Sequence, residues 1–236
     1  MNMKRNKWRM ILDIARTELQ TLFYSPIAWL TLIIFVVQAS MTFSSVFGTY
    51  VERFNLGYRP VNLTQGIFSG FRGLYTSILP YLFYYFPLLT MGLMSRELSS
   101  GSVKLLYSSP VNNIQIILGK FVSMMIYALV FVGILLVFII FGACTIDHFD
   151  FWLTVSGLLG VYLLICSYAA IGLFMSSLTS YQIVAALGTL SILFVLNMVG
   201  GLWQDIEWVR DITWWLSISG RANEFISGLI CSEDVL

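Results

Sequence analysis

Five long stretches of this sequence carry no charged residue: Ile27–Phe47, Leu74–Met94, Phe121–Ala143, Phe151–Met175 and Ile183–Leu202. A helix crossing a hydrocarbon core of about 30 Å needs about 20 apolar residues, and each stretch meets that length. In hydrocarbon no water is at hand to bond a backbone amide or carbonyl, so each stretch must satisfy its own backbone and is predicted to be helical. Charged residues are only 11% of the chain, against about a quarter in a soluble domain. They collect between the apolar stretches. The fold class predicted is therefore an all-α, polytopic transmembrane helix bundle, residues 1–236 forming one membrane domain. Pro80 and Pro87 are expected to kink the second span.

Basic residues set the orientation. With the N-terminus in the cytoplasm, the pieces 1–26, 95–120 and 176–182 hold Lys4, Arg5, Lys7, Arg9, Arg16, Arg96, Lys104 and Lys120. The outer pieces hold Arg53, Arg59, Arg72, Arg210 and Arg221. The outer tail 203–236 carries Trp203, Trp208, Trp214 and Trp215, which suit a membrane–water boundary. Ahead of the first span, Trp8, Ile11, Leu12, Ala15, Leu19, Leu22 and Phe23 recur at helical spacing. Residues 1–25 are thus predicted to include a basic amphipathic helix in the membrane interface, ended by Ser25-Pro26.

Chemistry-bearing motifs are sparse. There is no Gly-x4-Gly-Lys-[Ser/Thr] run to hold a nucleotide, and no basic run with interleaved aromatics to hold nucleic acid. Asp147, His148 and Asp150 share a short turn; they fit a solvated turn better than a metal site. Neither metal nor cofactor is expected. No charge lies inside the five stretches, which argues against an ion-driven carrier. Gln38, Thr90, Ser167 and Asn197 read as contacts between helices rather than as substrate ligands. No paired acid, base or metal cluster supports an embedded enzyme.

The loop after the second span is richer. It opens with Arg96 and Glu97 at the lipid boundary. Gly101 permits a tight turn, and Ser99, Ser100 and Ser102 are each able to cap a following helix. On that short helix Val103, Leu106 and Tyr107 share a face, and Pro110 ends it. Glu97 lies upstream, where its charge favours the helix's positive end. On the residues alone two readings stand: a loop that merely reverses the chain, or a docking element for a soluble partner.

The stretch Leu93–Lys120 resembles the ABC-2 class of ATP-binding-cassette transporter permeases. Their pattern of an acid, Gly-Thr, Leu-Leu, Pro-Val and Gly-Lys is matched by Glu97, Gly101-Ser102, Leu105-Leu106, Pro110-Val111 and Gly119-Lys120. Ser102 replaces the usual threonine and keeps the hydroxyl. The segment Gly172–Ala185 is similar to the corresponding turn of the gliding-motility-associated and copper-processing branch. The resemblance implies a bacterial inner-membrane permease subunit that is not itself an enzyme. It implies a separate ABC ATPase subunit and a second permease subunit, identical or different. It also implies a coupling loop, 95–120, in which Glu97, Gly101, Ser102, Val103, Leu106, Tyr107 and Pro110 meet the ATPase. Six spans are usual in that family; this sequence shows five and stops where the sixth is expected. A structural membrane anchor without transport activity is the alternative.

Overall fold

The computed structural model describes residues 7–57, 62–102, 112–146, 149–199 and 226. Among them the chain is helical: α1 (Lys7–Tyr24), α2 (Pro26–Asn55), a short π-helical turn (Gln65–Ser69), α3 (Leu74–Thr90), α4 (Ser95–Ser100), α5 (Asn113–Thr145), α6 (Phe151–Leu178) and α7 (Gln182–Val199). Four segments are long and apolar enough to cross a membrane: Pro26–Asn55, Gln65–Ser100, Asn113–Thr145 and Phe151–Leu178. Gln182–Met198 is a shorter apolar helix. The polytopic all-α architecture expected from the charge-free stretches is what the chain adopts.

Boundaries of the second and third spans differ from the expectation. The second span is not helical to Met94: α3 passes through both Pro80 and Pro87 and stops at Thr90, and α4 begins at Ser95. The third span starts at Asn113 rather than Phe121, so Lys120 is a residue of α5 and not of a loop. A window that ends at every charge cuts the helix there, whereas the folded chain supplies acids to meet that charge. The later helix that Ser99 and Ser100 are expected to cap lies outside the described residues. The two serines lie in the last turn of α4, and their hydroxyls donate back to the Arg96 and Glu97 carbonyls. The tail 203–236, apart from Ile226, and the pair Asp147-His148 lie outside the described residues. Asp150, the third member of that turn, caps α6, its carboxylate accepting the Leu153 amide at 3.2 Å.

The chain divides into two compact units. The first comprises Met1–Thr31, Phe83–Leu129 and Ile165–Leu193. Here α1 and α2 meet at Ser25-Pro26, where proline suits the first helical position because its missing N–H has no helical partner to lose. The elbow is pinned. The Trp29 indole donates to the Phe23 carbonyl at 2.7 Å, and the Tyr127 hydroxyl donates to the Ala28 carbonyl at 2.8 Å. Phe23 packs edge-on against both rings. The apolar stripe of α1 divides its work. Ile11 and Ala15 are buried, while Trp8 and Leu12 are 71% and 57% exposed, available to an interface. Gly119 of α5 permits the close approach: a Cβ there would lie 2.7 Å from Ile14 Cγ2.

The second unit comprises Leu32–Leu82, Val130–Leu164 and Phe194–Leu236. Its core is aromatic. Phe35 meets Phe131 with centroids 4.7 Å apart, and Phe43 touches Phe47, Phe68, Phe138 and Phe141. The π-helical turn drives Ile67 and Phe68 into this core. Tyr75, fully buried, donates to the Thr154 carbonyl at 2.9 Å, and Gly157 lies against its ring. A Cβ at Gly157 would lie 2.6 Å from Tyr75 Cε2. We predict that Gly157→Ala destabilises the protein by about 1–3 kcal/mol through overpacking. In a Tyr75→Ala background the same change should cost much less. A four-member double-mutant cycle in detergent, read by thermal unfolding, checks this; additivity would contradict it.

Candidate functional site

The break in the second span leaves polar backbone exposed where hydrocarbon is the expected surrounding, and side chains of the first unit repair it. Between α3 and α4 the amides of Met94 and Ser95 have no helical acceptor. Both donate to the Ser176 hydroxyl of α6, at 3.0 and 3.1 Å. That hydroxyl in turn donates to the Met91 carbonyl at 2.9 Å. One serine thus uses its single donor and both lone pairs, its whole capacity. The Ser95 hydroxyl also donates to the Met91 carbonyl. One turn before Ser176, Gly172 lets α6 close on α3, since a Cβ there would fall on the Thr90 hydroxyl. Thr90 itself is buried and donates to the Phe86 carbonyl at 2.8 Å. Small residues four apart are what close helix contact in a membrane requires.

The next free carbonyl, that of Leu93, accepts from Lys120 Nζ at 2.7 Å. The same ammonium meets Glu18 Oε1 of α1 at 2.5 Å and Glu97 Oε1 of α4 at 2.7 Å. Lys120 is 1% exposed, and the two carboxylates are 20% and 22% exposed. Three N–H bonds find three acceptors, which is what makes an almost fully buried ammonium tolerable. The cluster joins α1, the junction, α4 and α5 at one point. Two carboxylates share one cation, and Glu97 Oε2 is buried without a hydrogen-bond partner among the described residues.

Of the residues expected in the coupling loop, Glu97 therefore belongs to the ion cluster and does not stand free ahead of a later helix. Gly101 closes α4 in the left-handed region, φ 71°, with its amide toward the Leu98 carbonyl. Glycine adopts that conformation at no steric cost. Ser102 follows, its hydroxyl 2.7 Å from that of Ser100. Val103, Leu106, Tyr107 and Pro110 lie outside the described residues.

Lys120, Glu18, Ser176 and Gly172 are the members that sequence reasoning did not assign to a site. A signal existed for Glu18. It keeps phase with Ile11, Ala15 and Leu22 on the inward stripe of α1, where an acid has no place without a cation. Ser176 and Gly172 lie within the turn singled out as Gly172–Ala185, but nothing local marks them as the repair of another helix.

Fold and site together define a multi-span helical membrane protein with an interrupted second span held by an internal ion cluster. The sequence model of the ABC-2 family transporter proteins matches residues 12–206, most of the chain, and the chain belongs to that family. Comparison with curated proteins and with solved structures finds no match.

Ser176→Ala removes the acceptor of two amides and should destabilise by about 1–3 kcal/mol, whereas Ser177→Ala, one position on and exposed, should be near neutral. Lys120→Met leaves two carboxylates without their cation and should cost about 3–5 kcal/mol. Adding Glu18→Gln and Glu97→Gln to Lys120→Met should recover much of that loss. Unfolding in mixed detergent micelles measures each variant; a neutral Lys120→Met would refute the assigned role.

Proposed function

We propose that this chain is the membrane-spanning permease subunit of an ABC transporter in the bacterial inner membrane, its N-terminus cytoplasmic. A separate ATPase subunit hydrolyses ATP, and a second permease subunit, identical or different, completes the pathway. Membership of the ABC-2 family supports the transporter reading. Within that family, the turn Gly172–Ala185 is the basis for placing the chain nearest the gliding-motility and copper-processing branch.

The observation that carries the coupling mechanism is the Lys120 cluster. The segment from Gly101 to Asn112 holds the docking residues Val103, Leu106, Tyr107 and Pro110. It leaves from α4, which carries Glu97, and returns into α5, which carries Lys120. Both ends of the loop are thus tied to one ammonium. Closure of the ATPase pulls on the loop; α4 and α5 carry that motion to the junction at Thr90–Ser95. Two carboxylates on one cation offer alternative pairings, a local element with more than one arrangement that nucleotide binding is able to bias.

Leu106→Asp places a charge in an apolar socket at a cost of about 2–5 kcal/mol, so docking weakens by roughly 30-fold or more. Glu97→Gln keeps the docking face and alters the cluster, so the ATPase still binds while transport-coupled hydrolysis falls. Copurification of each variant with the ATPase, followed by hydrolysis assays, separates the two effects. Full ATPase binding by Leu106→Asp would restore the reading of the loop as a mere chain reversal and favour the structural anchor.

A further inference from the structure

Beside the repaired junction lies an open pocket of mixed polar and apolar lining. Thr21, Ser25 and Glu18 line it from α1 and the elbow, Gly92 and Arg96 from the junction and α4, and Gln182 from α7. Its free space is about 480 Å³ including the open mouth. Such a cleft takes the charged end of an amphiphile at its open mouth and not the whole molecule. Ile27 and Leu88 also line it and are 41% and 44% exposed, so an apolar path runs from the pocket to the protein's outer surface.

The charges in this pocket are arranged as an open pair. Arg96 forms no ion pair among the described residues, and the other residues of this unit, 1–6 and 103–111, contain no Asp or Glu. Gly92 leaves room for its guanidinium: a Cβ there would lie 3.0 Å from Arg96 Nη2. Glu18 gives Oε1 to Lys120, and its second oxygen accepts nothing from a described residue. A planar guanidinium suits a phosphate, and a carboxylate oxygen suits a compact ammonium with N–H donors. The pocket therefore presents a cation and an anion at the boundary where the span's apolar run ends.

We propose that this pocket binds the phosphoethanolamine head group of a zwitterionic phospholipid, phosphate on Arg96 and ammonium on Glu18, with acyl chains along Ile27 and Leu88. Phosphocholine fits less well because its quaternary ammonium has no N–H to give Glu18. Phosphoglycerol fits less well because it brings no ammonium to the excess negative charge that Glu18 and Glu97 leave on the single Lys120. The lipid would sit against the moving junction, where its occupancy steadies the helix break.

The test uses the full chain purified with any partners that remain bound, delipidated, and examined by native mass spectrometry with phosphatidylethanolamine, phosphatidylcholine and phosphatidylglycerol of matched acyl chains. Retention of phosphatidylethanolamine should exceed that of either other lipid, and Arg96→Ala should lower it by about tenfold, the loss of one charge-assisted contact. Arg96→Lys should retain an intermediate fraction. Should Arg96→Ala fail to fold, Gln182→Leu at the pocket wall serves as the second variant and should also lower retention. Equal retention of the three lipids, or indifference to these substitutions, overturns the proposal. So does displacement by an equal concentration of soluble glycerophosphoethanolamine, which would assign the site to a free metabolite rather than to the bilayer.

Discussion

A polar backbone group in hydrocarbon must find a partner inside the protein, and this constraint organises the first unit of the structure. α3 ends at Thr90, so two amides and two carbonyls lose their helical partners within an otherwise apolar run. Ser176 satisfies three of those groups and Lys120 the fourth. The presence of Lys120 then demands its own compensation, because an ammonium that is 1% exposed is not stable alone. Glu18 and Glu97 supply it. One interruption of a helix thus accounts for a serine, a lysine and two acids drawn from α1, α4, α5 and α6.

The same arrangement explains why α1 packs against the spans through one face. Its Trp8 and Leu12 stay outward, as an interfacial role requires, yet Ile11, Ala15 and Glu18 turn toward the interior. Gly119, next to Lys120, makes the approach of α1 sterically possible. The helix is held by packing at one end and by the ion pair at the other. Breaking a buried pair costs more than forming it contributes, so the cluster fastens the elements chiefly by penalising their separation. A device of that kind suits a transporter, which must hold helices together while letting them change their pairing.

Transmembrane architecture was legible in the residues because hydrocarbon imposes a length and a composition that few other environments demand. Helices occupy most of each charge-free stretch among the described residues, and Ser25-Pro26 became the elbow. Boundaries at charges were not legible. Lys120 read as the end of a loop because a lysine next to an apolar run is ordinarily at a membrane surface. The acids that cancel its charge stand 102 and 23 positions away in the chain, and no local pattern reports such a pairing. For the same reason Glu97 read as a charge ahead of a later helix.

Composition and spacing by themselves determined that the chain is a multi-span helical membrane protein, that its amphipathic first helix gives way to the first span at Ser25-Pro26, and that Gly101 ends a turn. These properties depend on the solvent a segment needs or on the backbone angles a residue allows, and both are local. Tertiary structure alone decided where the second span breaks, which side chains repair the break, and that Glu18, Glu97 and Lys120 form one site. Those outcomes depend on distances between residues far apart in sequence, and a distance exists only after the helices have packed.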